Sequence, residues 1–238
     1  MKLLVSPRNF EEAQAAILGH ADIIDVKNPN EGSLGANFPW IIRDVIKLVQ
    51  KYPQIESSAA IGDVPYLPGT ISLAALGLAS LGINYVKVGV YGPDSEEKVT
   101  FLLKKVVKGI REFYPSVKIV AAGYADYLKI RASINPLQLP RIAAETGCDV
   151  VMVDTGMKDG ISLLKKMAWS DIEQFIDAGK TTGLQIALAG SLSLDECISL
   201  RKLSPDIIGV RSAVCENFDR NHGCIQERLV ETLKQNLS

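Results

Sequence analysis

One pattern constrains this chain more than any other: short apolar runs alternate with amphipathic helical stretches, about one pair per ~30 residues. The first run is 3–5, followed by a helix with Asn9 as its N-cap, Glu11 and Glu12 in the first turn and Gly19 at its end. The second run, 22–26, is β-branched through Ile23, Ile24 and Val26. Pro39 then opens a helix whose Ile41, Val45, Leu48 and Val49 form one stripe. Further strands are expected at 55–61, 85–90, 117–122, 149–154, 185–189 and 207–210. Helices are expected at 70–81, from Ser95 to Phe113, up to Gly147, and at 170–178 and 194–203. A last helix carries Ile225, Leu229 and Leu233 at four-residue steps.

Most of these strands are near-continuous apolar runs, as expected of a parallel sheet buried on both faces. Alternating units leave two architectures, a closed barrel or an open doubly wound sheet. Eight units in 238 residues, with no G-x-G-x-x-G after the first strand, favour a (β/α)8 TIM barrel forming one domain over residues 1–238. The hydrophobic fraction of 47% supports a sizeable core, and the charged fraction of 22% with net charge -1 argues against disorder. That balance also argues against nucleic-acid or membrane-surface partners. No apolar run reaches the ~18 residues of a membrane span, and the amino terminus lacks a signal-peptide core, so a cytoplasmic protein is expected. Cys148, Cys197, Cys215 and Cys224 show no metal-like spacing, and His20 and His222 stand outside any ligand cluster. We expect packing or incidental cysteines, no metal site and no cofactor.

In barrels of this kind the active site lies at the carboxyl ends of the strands. The polar residues there are few: Asp25 and Lys27, Lys87, Asp154 and Lys158, Gly190 and Ser191, and Gly209, Arg211 and Ser212. Asp25 and Lys27 share a face, because residues two apart on a strand point to one side. The three lysines fall on or after strands 2, 4 and 6, and alternate strands supply one tier of inward side chains. Clustered, partly buried ammonium groups depress one another's pKa. A lysine made partly neutral attacks carbonyls to give a Schiff base, and another can act as general acid or base. The two carboxylates would offset the positive charge and could move protons. Loops after strands 7 and 8 frequently hold phosphate on backbone N–H groups, and Arg211 could add a bidentate contact. The residues thus point to an aldolase-like barrel acting on a small phosphorylated carbonyl compound.

The segments 22–29 (DIIDVKNP) and 31–40 (EGSLGANFPW) closely resemble the (5-formylfuran-3-yl)methyl phosphate synthase family of methanofuran biosynthesis, also called 4-(hydroxymethyl)-2-furancarboxaldehyde phosphate synthase. The likeness continues through 62–66, 85–89, 121–126, 187–191 and 209–211, and so covers essentially the whole chain. The resemblance implies condensation of two glyceraldehyde 3-phosphate molecules to a furan aldehyde phosphate, with release of phosphate and water. It also implies that Lys27 forms the Schiff base and Lys87 accepts a proton, with Asp25, Asp154 and Lys158 as further active-site residues. The words around Lys158, TGMKDG, vary from the family pattern before the Lys-Asp-Gly, which leaves its role open. Another Schiff-base aldolase or isomerase, or a non-catalytic barrel that senses sugar phosphates, would use a similar frame. Barrels of this type often self-associate, so a homo-oligomer is expected.

Overall fold

In the computed structural model, which describes residues 1–130 and 133–237, eight parallel strands close into a barrel in the order of the chain. The strands are β1 (Lys2–Val5), β2 (Ile23–Val26), β3 (Glu56–Ala60), β4 (Tyr85–Gly89), β5 (Lys118–Tyr124), β6 (Val150–Asp154), β7 (Gln185–Leu188) and β8 (Ile207–Val210). The helices are α1 (Phe10–Leu18), α2 (Pro39–Val49), α3 (Pro68–Ala79), α4 (Glu96–Phe113), α5 (Leu139–Thr146), α6 (Leu163–Lys166), α7 (Trp169–Thr181), α8 (Leu194–Leu200) and α9 (Glu227–Leu237). The expected barrel is therefore observed. The Asn9 cap is present too, its side chain accepting from the N–H of Glu12.

Two differences from the sequence reading have physical causes. The fifth strand runs on through Gly123 and Tyr124, since its small residues pair with β6 although their own strand propensity is low. The four-residue α6 after β6 is too short to leave a periodic signal. No helix of the described residues is long and apolar enough to cross a membrane.

The core has two parts. A large shell between strands and helices holds Leu3, Val5, Ile24, Val26, Val86, Val88 and their helical partners. A smaller interior holds Leu4, Ile23, Tyr85, Val120, Val150, Met152, Ala187 and Ile207. Strand register and the alternation of side chains stack the interior in tiers of four from alternate strands. Ile23, Tyr85, Val150 and Ile207 make one tier, Leu4, Ser58, Val120 and Ala187 the next, and Asp25, Lys87, Met152 and Gly209 the one above. The amino end of the barrel is closed by an ionic cluster. Glu56 pairs with Lys2, Lys118 lies 3.3 Å from Glu56, and Lys118 donates to the Tyr85 hydroxyl at 2.9 Å.

Cys148, Cys197 and Cys215 are buried, and burial pushes their thiols up to about 12, about 12 and about 11 respectively, so they are packing residues as expected. Glu12 differs from expectation. A first-turn carboxylate usually faces solvent and the helix dipole, yet this one is 3% exposed. It accepts from the N–H of Arg8 at 2.9 Å, pairs with the Arg8 side chain at 2.9 Å, and meets both terminal nitrogens of Arg211 at 2.7 and 3.2 Å. Glu12→Ala would strand the buried Arg211 guanidinium, and breaking such a pair costs about 3–5 kcal/mol. Urea unfolding of the variant should show a loss of that size. A loss under about 1 kcal/mol would mean that Arg211 finds another partner.

Candidate active site

Two residues above the Asp25 and Lys87 tier, β2 and β6 deliver Lys27 and Asp154 to the barrel mouth. The ammonium of Lys27 lies 3.5 Å from Asp154 and 3.7 Å from Asp25. Lys158, one helical turn's spacing beyond Asp154, donates to it at 2.7 Å and to the Thr155 hydroxyl at 3.2 Å. Deeper in the barrel, Lys87 is hydrogen-bonded to Oδ2 of Asp25, the same oxygen that accepts from the Ser6 hydroxyl at 3.0 Å and faces Lys27. Three amines and two carboxylates thus form one chain: Lys87, Asp25, Lys27, Asp154, Lys158. The other oxygen of Asp25, Oδ1, is buried with no hydrogen-bond partner among the described residues.

Burial and charge act on these groups in opposite senses. For Lys87, 1% exposed, burial dominates and the neighbouring Lys27 adds to it, so its pKa falls to about 7 despite Asp25. Lys158 falls to about 8 for the same first reason, with Lys27 again adding to it. Burial also disfavours the charge of Lys27, but Asp154 and Asp25 together outweigh it, and its pKa is raised. Burial would raise both carboxyls; Lys87 and Lys27 hold Asp25 below its ordinary value, and Lys158 and Lys27 hold Asp154 below its own. Sequence reasoning expected depressed lysines in general. The structure assigns that property to Lys87 and Lys158 and keeps Lys27 a cation in the resting site.

The mouth pocket is lined by Lys27, Asp154, Lys158, Gly190, Ser191, Gly209, Arg211 and Ser212, together with Ser6, Met152 and Arg220. Every residue expected at the phosphate loops therefore borders the same hollow as Lys27, while Asp25 and Lys87 lie beneath it. Gly190 sits at φ +123°, and a Cβ there would come within 2.7 Å of the Thr155 side chain. The bidentate contact expected of Arg211 goes elsewhere: its guanidinium is committed to Glu12 and to the carbonyls of Ser6 and Arg220. The other guanidinium that borders the pocket belongs to Arg220, whose buried Nε has no hydrogen-bond partner among the described residues.

A second network fixes the loop after β2. Asp63 accepts from the N–H groups of Ser33 and Leu34 at 2.7 and 3.1 Å and from the Tyr124 hydroxyl. The Ser33 hydroxyl donates to the Thr155 carbonyl at 2.7 Å. Burial, then the Asp63 carboxylate, hold the Tyr124 phenol well above its ordinary pKa, so it stays a donor. Gly89 makes room, since a Cβ there would sit 2.3 Å from the Tyr124 hydroxyl. The loops after β2, β3 and β6 are thereby tied together around Lys27.

A model of the 4-HFC-P synthase family matches residues 3–234. The chain belongs to that family. It is 52% identical over 234 residues to the (5-formylfuran-3-yl)methyl phosphate synthase of Archaeoglobus fulgidus, with 98% of each chain covered. It is 52% identical over 233 residues to that of Methanosarcina acetivorans, covering 98% of this chain and 97% of the relative. With that of Methanopyrus kandleri it shares 46% over 237 residues, covering 100% and 99%. Among solved structures, 3-hexulose-6-phosphate synthase from Salmonella typhimurium superposes with a TM-score of 0.68 at 17% identity, each chain covered fully. Phosphoribosyl anthranilate isomerase from Thermus thermophilus gives 0.63 at 12%, covering 100% of this chain and 98% of that one. At such identities these two carry the fold alone.

In this member of the 4-HFC-P synthase family, sequence reasoning missed Ser6, Asp63, Tyr124 and Arg220. Ser6 follows β1 and Asp63 follows β3, so both stood at strand carboxyl ends. Arg220 could have been found by reading every basic residue of the loop after β8. Tyr124 could not, because the expected strand stopped before it.

Proposed function

We propose that the chain is a carbon–oxygen lyase that condenses two molecules of glyceraldehyde 3-phosphate into 4-(hydroxymethyl)-2-furancarboxaldehyde phosphate, releasing one phosphate and two waters, as a step toward methanofuran. The observation that carries the mechanism is the shared Oδ2 of Asp25, which touches Lys87 and faces Lys27.

One triose phosphate is isomerised to its ketone form or the equivalent enamine. Lys27 loses a proton toward the carboxylates, attacks the carbonyl carbon, and expels water to form an iminium. The iminium is a cation like the ammonium it replaces, so the carboxylates that favour charge on Lys27 favour it as well. The second molecule stays an aldehyde, whose carbonyl makes its C2 hydrogen acidic. Lys87, partly neutral at physiological pH, takes that proton, and the electron pair breaks the C3–O bond and expels phosphate, leaving an enol. The terminal carbon of the enol bonds to the iminium carbon, the connection that the branched furan skeleton needs. The hydroxyl of the ketone-derived half then closes on the carbonyl carbon formed from the enol, and loss of water from one side of the ring and of the Lys27 amine from the other gives the furan and frees the lysine. Lys158, held on Asp154, is placed to return protons to departing oxygens. The loops at Gly190, Ser191, Gly209 and Ser212 are assigned one substrate phosphate.

Borohydride reduction in the presence of glyceraldehyde 3-phosphate should fix an adduct that maps to Lys27, and unreduced reactions should release phosphate and a near-ultraviolet chromophore. An unmodified Lys27, or full turnover by Lys27→Ala, would sink the Schiff-base step. Phosphate release without the chromophore would point to a different aldol or elimination product.

A further inference from the structure

Arg220 is the unexplained cation of the mouth. Its Nε is buried and has no hydrogen-bond partner among the described residues. The contrast with Arg211, held bidentately by Glu12, is direct. Arg220 also borders two hollows at once. The first is the pocket above Lys27, and the second lies beside it, lined by Gly160, Ser193 and Asp219; both share Lys158, Ser191, Ser212 and Arg220.

The loop that carries Arg220 is rigidly shaped. Asn217 and Phe218 adopt left-handed backbone at φ 53° and 56°, a conformation that side chains other than glycine take at some energetic cost. Asp219 turns its carboxylate onto the N–H groups of Asn221 and His222 at 2.8 and 3.1 Å. Glu216 donates its N–H to the Cys224 carbonyl at 2.9 Å, closing the loop, and the Arg211 guanidinium grips the Arg220 carbonyl at 2.8 Å. The backbone of Arg220 is therefore anchored while part of its side chain is buried without a partner.

Charge points to the ligand. Lys27, Lys158 and Arg220 border the first pocket with Asp154 as the facing carboxylate, a surplus of cations. The second hollow adds no free carboxylate, since Asp219 is turned onto its own backbone. A guanidinium recognises phosphate bidentately, which an ammonium cannot do. We propose that Arg220 binds the phosphate of the second triose phosphate, in the hollow it shares with Lys158 and Ser212, next to the first phosphate at the Gly190 and Ser191 loop. This assignment rests on the reading that two triose phosphates are condensed.

The test uses the full chain, with Arg220→Ala and Arg220→Gln. Titration calorimetry with inorganic phosphate should give two sites in the unsubstituted protein and one in either variant. Kinetics with glyceraldehyde 3-phosphate should show KM raised at least tenfold, while borohydride still traps the adduct of a single dihydroxyacetone phosphate on Lys27. Arg220→Lys should recover part of the KM, as a charge without the fork. If Arg220→Ala does not fold, Arg220→Gln, which keeps length and polarity, gives the same readings. Unchanged phosphate stoichiometry and KM in the variants would overturn the proposal. If the unsubstituted protein forms no Lys27 adduct or furan, the condensation reading fails, and phosphate stoichiometry still decides whether Arg220 is an anion ligand.

Discussion

Lys87→Met is expected to lower turnover by about 10²–10⁴, the usual contribution of a positioned general base. The substitution keeps an apolar stem in the same barrel tier and removes the amine. Lys27 keeps both of its carboxylates, at 3.5 and 3.7 Å, so borohydride should still trap a triose phosphate there. That separation between adduct formation and turnover is the diagnostic result. A variant that turns over within tenfold of the unsubstituted protein would remove Lys87 from the proton-transfer step. Loss of the adduct together with turnover would instead place Lys87 in the activation of Lys27. Stability should fall too, because Asp25 would be left buried with the Ser6 hydroxyl and a more distant ammonium.

Asp25→Asn should produce the second large effect, and its sign is fixed by electrostatics. A base works when deprotonated, so kcat/KM of the unsubstituted protein should decline below about pH 7, where Lys87 becomes protonated. Asp25 is the group that holds the Lys87 pKa up against burial. Without its charge the Lys87 pKa falls further, and the acid limb of the pH profile moves to lower pH. The plateau should drop by roughly 10²-fold or more, because the carboxylate joining Lys87 to Lys27 can no longer carry a proton. A limb that stays in place or moves upward would contradict the assignment of Lys87 as the titrating base. Folding stability carries a matching signature. Between about pH 7 and the ordinary lysine value near ~10.4 the unfolded chain binds a proton that folded Lys87 does not. Its contribution to stability therefore rises with pH across that window. Below it both states are protonated and the burial penalty is complete. Asp154 acts the other way: its depressed carboxyl stabilises the fold above the ordinary aspartate value of ~3.9, and that contribution is lost as pH falls below it.

The barrel was legible because burial on both faces writes long apolar runs, and Lys87 stood out as the one charge between Val86 and Val88. Asp25 with Lys27 was legible for a similar reason, since two residues along a strand restore the same side. What was not legible depends on distances across the closed sheet. The partner that occupies Arg211 sits 199 residues earlier on α1, and no local spacing announces it. The direction of the Lys27 shift depends on two carboxylates both lying within 4 Å, against a burial effect of opposite sign. Sequence supplies the identities of those groups without their separations. No local spacing announces the contact of Asp63 with Tyr124 either, which helps to lock the loops after β2 and β3 and links residues about 60 apart in the chain.

The ionic cluster of Lys2, Glu56, Tyr85 and Lys118 makes the reaction chamber a room with a single door. Tyr85 is 2% exposed and packs across the barrel two tiers beneath Asp25 and Lys87, which closes the floor. In the proposed reaction, reactants, orthophosphate and furan would all use the mouth. A hydrogen that Lys87 would lift from carbon has no path downward either; it would return to the bound organic fragment or climb by way of Asp25 to Lys27. The floor thereby isolates the proton traffic of the site from the water outside.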